Sequence, residues 1–230
     1  MPSGAAWPNL LALIAATFPG VAAAGAWIAP EGGQEIWTSI AGQRAELTFF
    51  ESAAYWEVPL GANNSVVATP WVEQNYDSVD GWRGDAVLGL KHAVLRTESD
   101  IVAVQGGALW ISHPADGCSE GGAEARVLAG RALGARGFVN IEAAARALEG
   151  GCGGERLDLT AGYRPAGNWL ALGQVFLDVP HEGEQTLKAQ LTLVAFGQSG
   201  RAIQLGVRAR IDGGDEEPAL VLGFWGRPGD

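Results

Sequence analysis

Ile203-Gln204-Leu205-Gly206-Val207-Arg208-Ala209-Arg210-Ile211 alternates apolar and polar residues without a break. Period two puts Ile, Leu, Val and Ala on one face and Gln, Gly and Arg on the other, which a strand does and a helix does not. Working outward, the same alternation recurs. Leu187 to Ala195 sets Leu187, Ala189, Leu191 and Leu193 against Lys188, Gln190 and Thr192. Arg156 to Arg164 sets Leu157, Leu159, Ala161 and Tyr163 against Arg156, Asp158, Thr160, Gly162 and Arg164. In Phe138 to Leu148, Val139, Ile141, Ala143, Ala145 and Ala147 oppose Asn140, Glu142, Ala144 and Arg146. In Asp85 to Leu95, Ala86, Leu88, Leu90 and Val94 share a face.

The joints between these strands alternate too. Short turns fall at Gly61-Ala62-Asn63-Asn64, Thr97-Glu98-Ser99-Asp100, Gly134-Ala135-Arg136-Gly137, Pro165-Ala166-Gly167-Asn168 and Gly197-Gln198-Ser199-Gly200, roughly 34 residues apart. Longer, more acidic loops lie between them, around Asp77-Ser78-Val79-Asp80, His113 to Gly122, Glu149 to Glu155, Pro180 to Glu184 and Asp212 to Glu217. A helical solenoid could share the spacing but not the period-two strands. Short turns at one end and long loops at the other predict an all-β, antiparallel up-and-down transmembrane barrel.

The polar face argues for a barrel over a soluble sandwich. It carries both signs of charge strand after strand, so neighbours can pair across a narrow interior. The expected lumen-lining residues are Lys91, Glu124, Arg126, Glu142, Arg146, Arg156, Asp158, Arg164, Gln174, Lys188, Gln190, Arg208 and Arg210. Cations outnumber anions in that set, which predicts a net-positive lumen favouring anionic solutes. Counting hairpins gives twelve strands, with ten as the alternative. Before Asp85 the pattern is less regular. Gln34 to Gly42 is a poor first strand, strict alternation in the second points Glu51 at lipid, and Pro70 interrupts the third, removing a ladder donor.

The chain begins with an apolar stretch, Leu10 to Phe18, then Pro19-Gly20 and Ala22-Ala23-Ala24. This predicts a signal peptide over residues 1–24, cleaved before Gly25, although no Lys or Arg precedes Arg44. Residues 25–33 are then expected as a periplasmic N-terminal segment and 34–230 as the barrel. The two cysteines sit in polar, Gly-rich loops, Asp-Gly-Cys118-Ser-Glu and Gly-Gly-Cys152-Gly-Gly, and are expected to form a disulfide in an oxidising compartment. Two cysteines without nearby histidines do not make a zinc site, and neither a metal nor a cofactor is expected.

Composition narrows the function. The chain has 34 Gly, only 18% charged residues and a formal net charge of −11, which argues against a nucleic-acid binder. The expected surroundings are outer-membrane lipid and lipopolysaccharide of a Gram-negative bacterium. Three histidines are present. His92 falls on the lipid-facing register, while His113 and His181 adjoin prolines in loops, so no Ser–His catalytic pair is expected. The acidic Asp212-Gly213-Gly214-Asp215-Glu216-Glu217 loop could hold a divalent cation, but such loops are more often solvated.

The stretches Gly137-Phe138-Val139-Asn140-Ile141-Glu142, Leu157-Asp158-Leu159-Thr160-Ala161-Gly162-Tyr163-Arg164-Pro165 and Trp169-Leu170-Ala171-Leu172-Gly173-Gln174 resemble a family of proteobacterial porin-like outer-membrane barrels. That family is distantly similar to barrels of the phenol-degradation meta-pathway group. Gly25-Ala26-Trp27-Ile28-Ala29-Pro30 and Pro218-Ala219-Leu220-Val221-Leu222-Gly223-Phe224-Trp225 fit the same pattern, though the chain runs on past Trp225 to Gly226-Arg227-Pro228-Gly229-Asp230. The resemblance implies an outer-membrane location and passage of small, in part apolar, solutes. Two functions remain open: a narrow porin-like channel, or a closed barrel whose acidic loops bind a partner protein or divalent cations.

Overall fold

A computed structural model describes residues 25–74, 81–114, 116–181, 183–197, 200–214 and 216–227. The leader expected over residues 1–24 lies outside them, as do Asp77-Ser78-Val79-Asp80. Twelve strands follow in order: β1 (Gln34–Arg44), β2 (Leu47–Pro59), β3 (Asn64–Gln74), β4 (Trp82–Arg96), β5 (Asp100–Ile111), β6 (Gly121–Leu133), β7 (Gly137–Leu148), β8 (Gly153–Tyr163), β9 (Trp169–Pro180), β10 (Thr186–Phe196), β11 (Ala202–Arg210) and β12 (Ala219–Gly226). Each pairs antiparallel with its sequence neighbour, and β12 returns to β1, with Ile36 opposite Trp225 and Ile40 opposite Val221. Closure leaves no free sheet edge, which is what allows strands to cross lipid.

The alternation read from the sequence sets what faces outward. Leu88, Leu90, Leu191, Leu193, Leu205 and Leu220 are all more than half exposed, and Leu220 is 69% exposed. Aromatic residues border this apolar belt. Trp37, Trp56, Tyr163, Trp169 and Phe224 lie toward the short-turn end, and Phe50, Trp82 and Trp110 toward the loop end. An apolar band between two aromatic girdles on a closed barrel is the outer surface of a membrane-spanning protein.

The irregular first strands obey the same rule with different parity. β1 and β2 are joined by a two-residue turn, Ala45-Glu46, which fixes Arg44 opposite Leu47 and Ile40 opposite Glu51. Glu51 therefore points into the barrel, not at lipid, beside Phe49 and Tyr55 of the same face. The β2–β3 ladder is interrupted between Ala53–Trp71 and Trp56–Ala68, where Pro70 lies, while β3 stays paired with β4 through Pro70–Ala86. The proline is accommodated at the gap in one ladder.

Cys118 and Cys152 form a disulfide between the β5–β6 and β7–β8 loops, with Cα atoms 5.8 Å apart. The amide of Ser119 donates to the Glu149 carbonyl and the Glu149 amide to Ser119 Oγ, so the two loops are also hydrogen-bonded.

Candidate functional site: the barrel lumen

Lys91, Glu124, Arg126, Glu142, Arg146, Arg156, Asp158, Gln174, Lys188, Gln190, Arg208 and Arg210 lie at strand positions on the face opposite the exposed apolar residues, and Arg164 follows the end of β8. They do not act alike, because the lumen divides into two ion-paired walls, one unpaired polar strip and an apolar end.

The first wall lies toward the loop end on β1–β3 and β10–β11. The Arg44 guanidinium contacts Glu73 at 2.9 Å and Glu217 at 3.1 Å, Arg83 reaches Glu73 at 2.9 Å, and Lys188 reaches Glu217 at 2.7 Å. Arg208 donates through both terminal nitrogens to Glu51. Glu217 belongs to the acidic β11–β12 loop but is turned inward and buried. Burial raises its carboxyl pKa, but hydrogen bonds from Arg44 and Lys188 outweigh this and hold it below the usual range. Asp212 of the same loop accepts hydrogen bonds from Arg210 and the Leu187 amide. Two of the loop's carboxylates are thus already committed within the protein. Among the described residues no cluster of His, Cys, Asp or Glu could hold a metal ion.

The second wall runs over β4, β6 and β7. Arg146 bridges Asp85 at 3.0 Å and Glu124 at 2.9 Å, and Arg126 bridges Glu124 and Glu142, both at 2.9 Å. The carboxylates Glu51, Glu57, Glu73, Asp85, Asp178 and Glu217 also face the interior, where they largely offset the positive excess expected from alternation, even after Arg44 and Arg83 are added.

Between the walls, β8–β10 present Arg156, Asp158, Thr160, Gln174 and Gln190. Gln190 donates to Gln174 at 2.9 Å and Gln174 to Thr160 at 3.4 Å. Arg156 Nε and Asp158 Oδ1 are buried with no hydrogen-bond partner in the protein. The side chains of Arg156, Asp158, Thr160 and Gln174 as a whole nevertheless stay partly exposed on this inward face, so the strip borders accessible space.

The short-turn end is apolar. Ile36, Phe138, Leu170, Leu172, Val194, Ala202 and Trp225 form one apolar cluster, and Ala93, Ile101, Ala103 and Leu128 a second. Trp27 packs against both. Residues 25–33, expected as a periplasmic segment, lead this indole into the barrel, and Ala26 is fully buried. The Trp27 ring meets Phe138 edge-on at 5.9 Å and lies over Gly130, where any Cβ would fall 2.4 Å from the indole. Lys91 donates to the carbonyls of Gly25 at 3.0 Å and Trp27 at 2.8 Å and to Glu57 at 2.7 Å. The Ala26 amide donates to Asn140 Oδ1 at 3.2 Å and the Ala29 amide to Glu57 Oε1 at 3.1 Å. The N-terminal segment carries no strand alternation, so the sequence reading had no signal that placed it inside.

His92 is on the outer surface, its Nδ1 2.8 Å from Asn64 Oδ1, and His113 and His181 are in loops.

These features define a membrane-spanning β-barrel of the Gram-negative outer-membrane type. The fold is similar to that of an outer-membrane channel from Pseudomonas putida F1 (TM-score 0.62, 10% identity, covering 89% of this chain and 98% of that one). It is also similar to the KdgM porin in complex with disordered oligogalacturonate (0.61, 5%, 84% and 97%) and the NanC porin (0.60, 9%, 82% and 98%). No protein-family model and no curated sequence matches the chain.

Proposed function

We propose that the protein is a narrow outer-membrane channel for small polar solutes. The observation that carries this reading is the strip on β8–β9, where the inward-facing Arg156, Asp158, Thr160 and Gln174 stay partly exposed although they point into the barrel. A barrel of twelve strands lies between those that side chains fill and those that leave a wide aqueous pore. Here two walls are ion-paired and the strip between them is the remaining route. The sugar-acid polymer bound by the similarly folded KdgM porin is of the polar class such a strip suits. On the strip Arg156 stands with Asp158 and Asp178, while Arg164, just beyond the end of β8, stacks on Phe196 at 4.9 Å and makes no ion pair among the described residues, a cation that biases the route toward anions. Anions are the favoured permeants.

Reconstitution into planar bilayers under a salt gradient tests this. Small unitary currents with an anion-side reversal potential are expected, shifting toward cations in Arg156→Glu. A second reading, a closed barrel acting through its loops, is favoured by the dense ion pairing and the apolar end. It predicts no unitary current in any variant, and a lowered stability for Arg156→Glu without selectivity.

A further inference from the structure

Residues 25–33, which follow the expected cleavage point, run along the apolar short-turn end. Gly25 lies against the β7 wall so closely that a Cβ on it would fall 2.0 Å from Asn140 Nδ2 and 2.6 Å from Glu142 Oε1. Its φ of 100° is a backbone state that glycine adopts without strain. Around it stands a complete set of groups for holding a chain end. Lys91 holds the Gly25 and Trp27 carbonyls, Asn140 the Ala26 amide, and Glu57 the Ala29 amide. The side chains of Lys91 and Glu57 are fully buried, so these bonds form away from competing solvent. A carboxylate stands beside them. Glu142 accepts from Arg126 through Oε2 and from Asn140 through Oε1, yet a carboxylate oxygen takes more than one donor, and Oε1 faces Gly25.

We infer that Glu142, Asn140, Lys91 and Glu57 form a capture site for the chain's own processed N-terminus, with the Gly25 α-ammonium paired to Glu142. Processing supplies the charge. A peptidase of the export pathway adds water across the 24–25 peptide bond. The new carboxylate leaves with the leader, and the amine stays on Gly25 and takes up a proton. An uncleaved chain has a neutral amide there and no such pair, so leader removal adds the lock. Trp27 then spans the two apolar clusters and narrows the short-turn end. That the lock gates passage rests on the channel reading; the lock itself does not.

The test is the reactivity of the α-amine in protein refolded with Gly25 as its first residue. An amine-acylating reagent is applied to folded and to denatured protein, and the N-terminal peptide is quantified by mass spectrometry. In the folded barrel the Gly25 amine should acylate about tenfold more slowly or less, since reaction awaits local opening. Glu142→Gln should restore fast labelling. Because Glu142 also pairs with Arg126, a second form leaves the barrel untouched: one extra serine before Gly25, which carries the ammonium away from Glu142 and should also label fast. Equal rates in folded and denatured protein would overturn the capture site, and slow labelling unchanged in both altered forms would overturn the role of Glu142. Removal of residues 25–33 should raise unitary conductance. Should the amine be protected while no form conducts, the channel reading fails and the capture site stands.

Discussion

Glu51 is 4% exposed, and its partner Arg208 comes from the far end of the chain. Deleting one member of a buried pair strands the other charge, so Arg208→Ala should cost about 3 kcal/mol or more. Denaturant unfolding of the detergent-solubilised barrel would measure this, and Arg208→Met combined with Glu51→Gln should recover much of it. The inward direction of Glu51 was not legible in the sequence. Both faces of β2 carry aromatic residues, Phe49 and Tyr55 inside against Phe50 and Trp56 outside, so hydropathy does not decide parity. The Ala45-Glu46 turn decides it, and that pair carries none of the glycine or asparagine chemistry that marks tight hairpins. Where one face was purely apolar, as at Leu191-Leu193 or Leu205-Val207, the inward residues were plain from alternation alone.

At the scale of loops and strands, the β5–β6 and β7–β8 loops are tied by Cys118–Cys152, which closes a separation of 34 residues. On the chain-entropy account, reduction should lower stability by about 3–4 kcal/mol. Paired unfolding curves with and without reductant would read the change. Non-reducing peptide mapping should recover the two cysteines joined. The β11–β12 loop is held differently. The hydrogen bond from Arg210, reinforced by the Leu187 and Gly214 amides, lowers the Asp212 carboxyl to about 2. A carboxyl lowered on folding stabilises the fold above its unfolded value, about 3.9, and that contribution is lost as pH falls toward 2. An NMR titration should place the Asp212 midpoint near 2, with the Leu187 amide shifting in step, and Arg210→Ala should return it toward the ordinary range. The acidity of this loop was visible in the sequence. The inward turn of Glu217 was not, since its partners Arg44 and Lys188 lie on strands remote in sequence.

The whole molecule follows from period two: outward residues build the apolar belt, inward ones the charged lumen, and twelve strands close the ring. Fractionation should recover the protein with the outer membrane, and a soluble periplasmic pool would contradict the exposed belt. Division of the lumen into ion-paired walls and a strip without ion pairs depends on which charges meet across the barrel, a property of three dimensions that strand patterns do not encode. Gln174 sits midway along that strip and bonds to both Thr160 and Gln190. No free cysteine is present among the described residues, so Gln174→Cys introduces a single reactive thiol. An anionic thiol reagent added to a conducting Gln174→Cys channel should reduce the unitary current in one step and lower anion preference, leaving the unsubstituted protein unaffected. Currents that persist unchanged after complete modification, verified by mass, would contradict passage along the Arg156–Asp158–Gln174 strip.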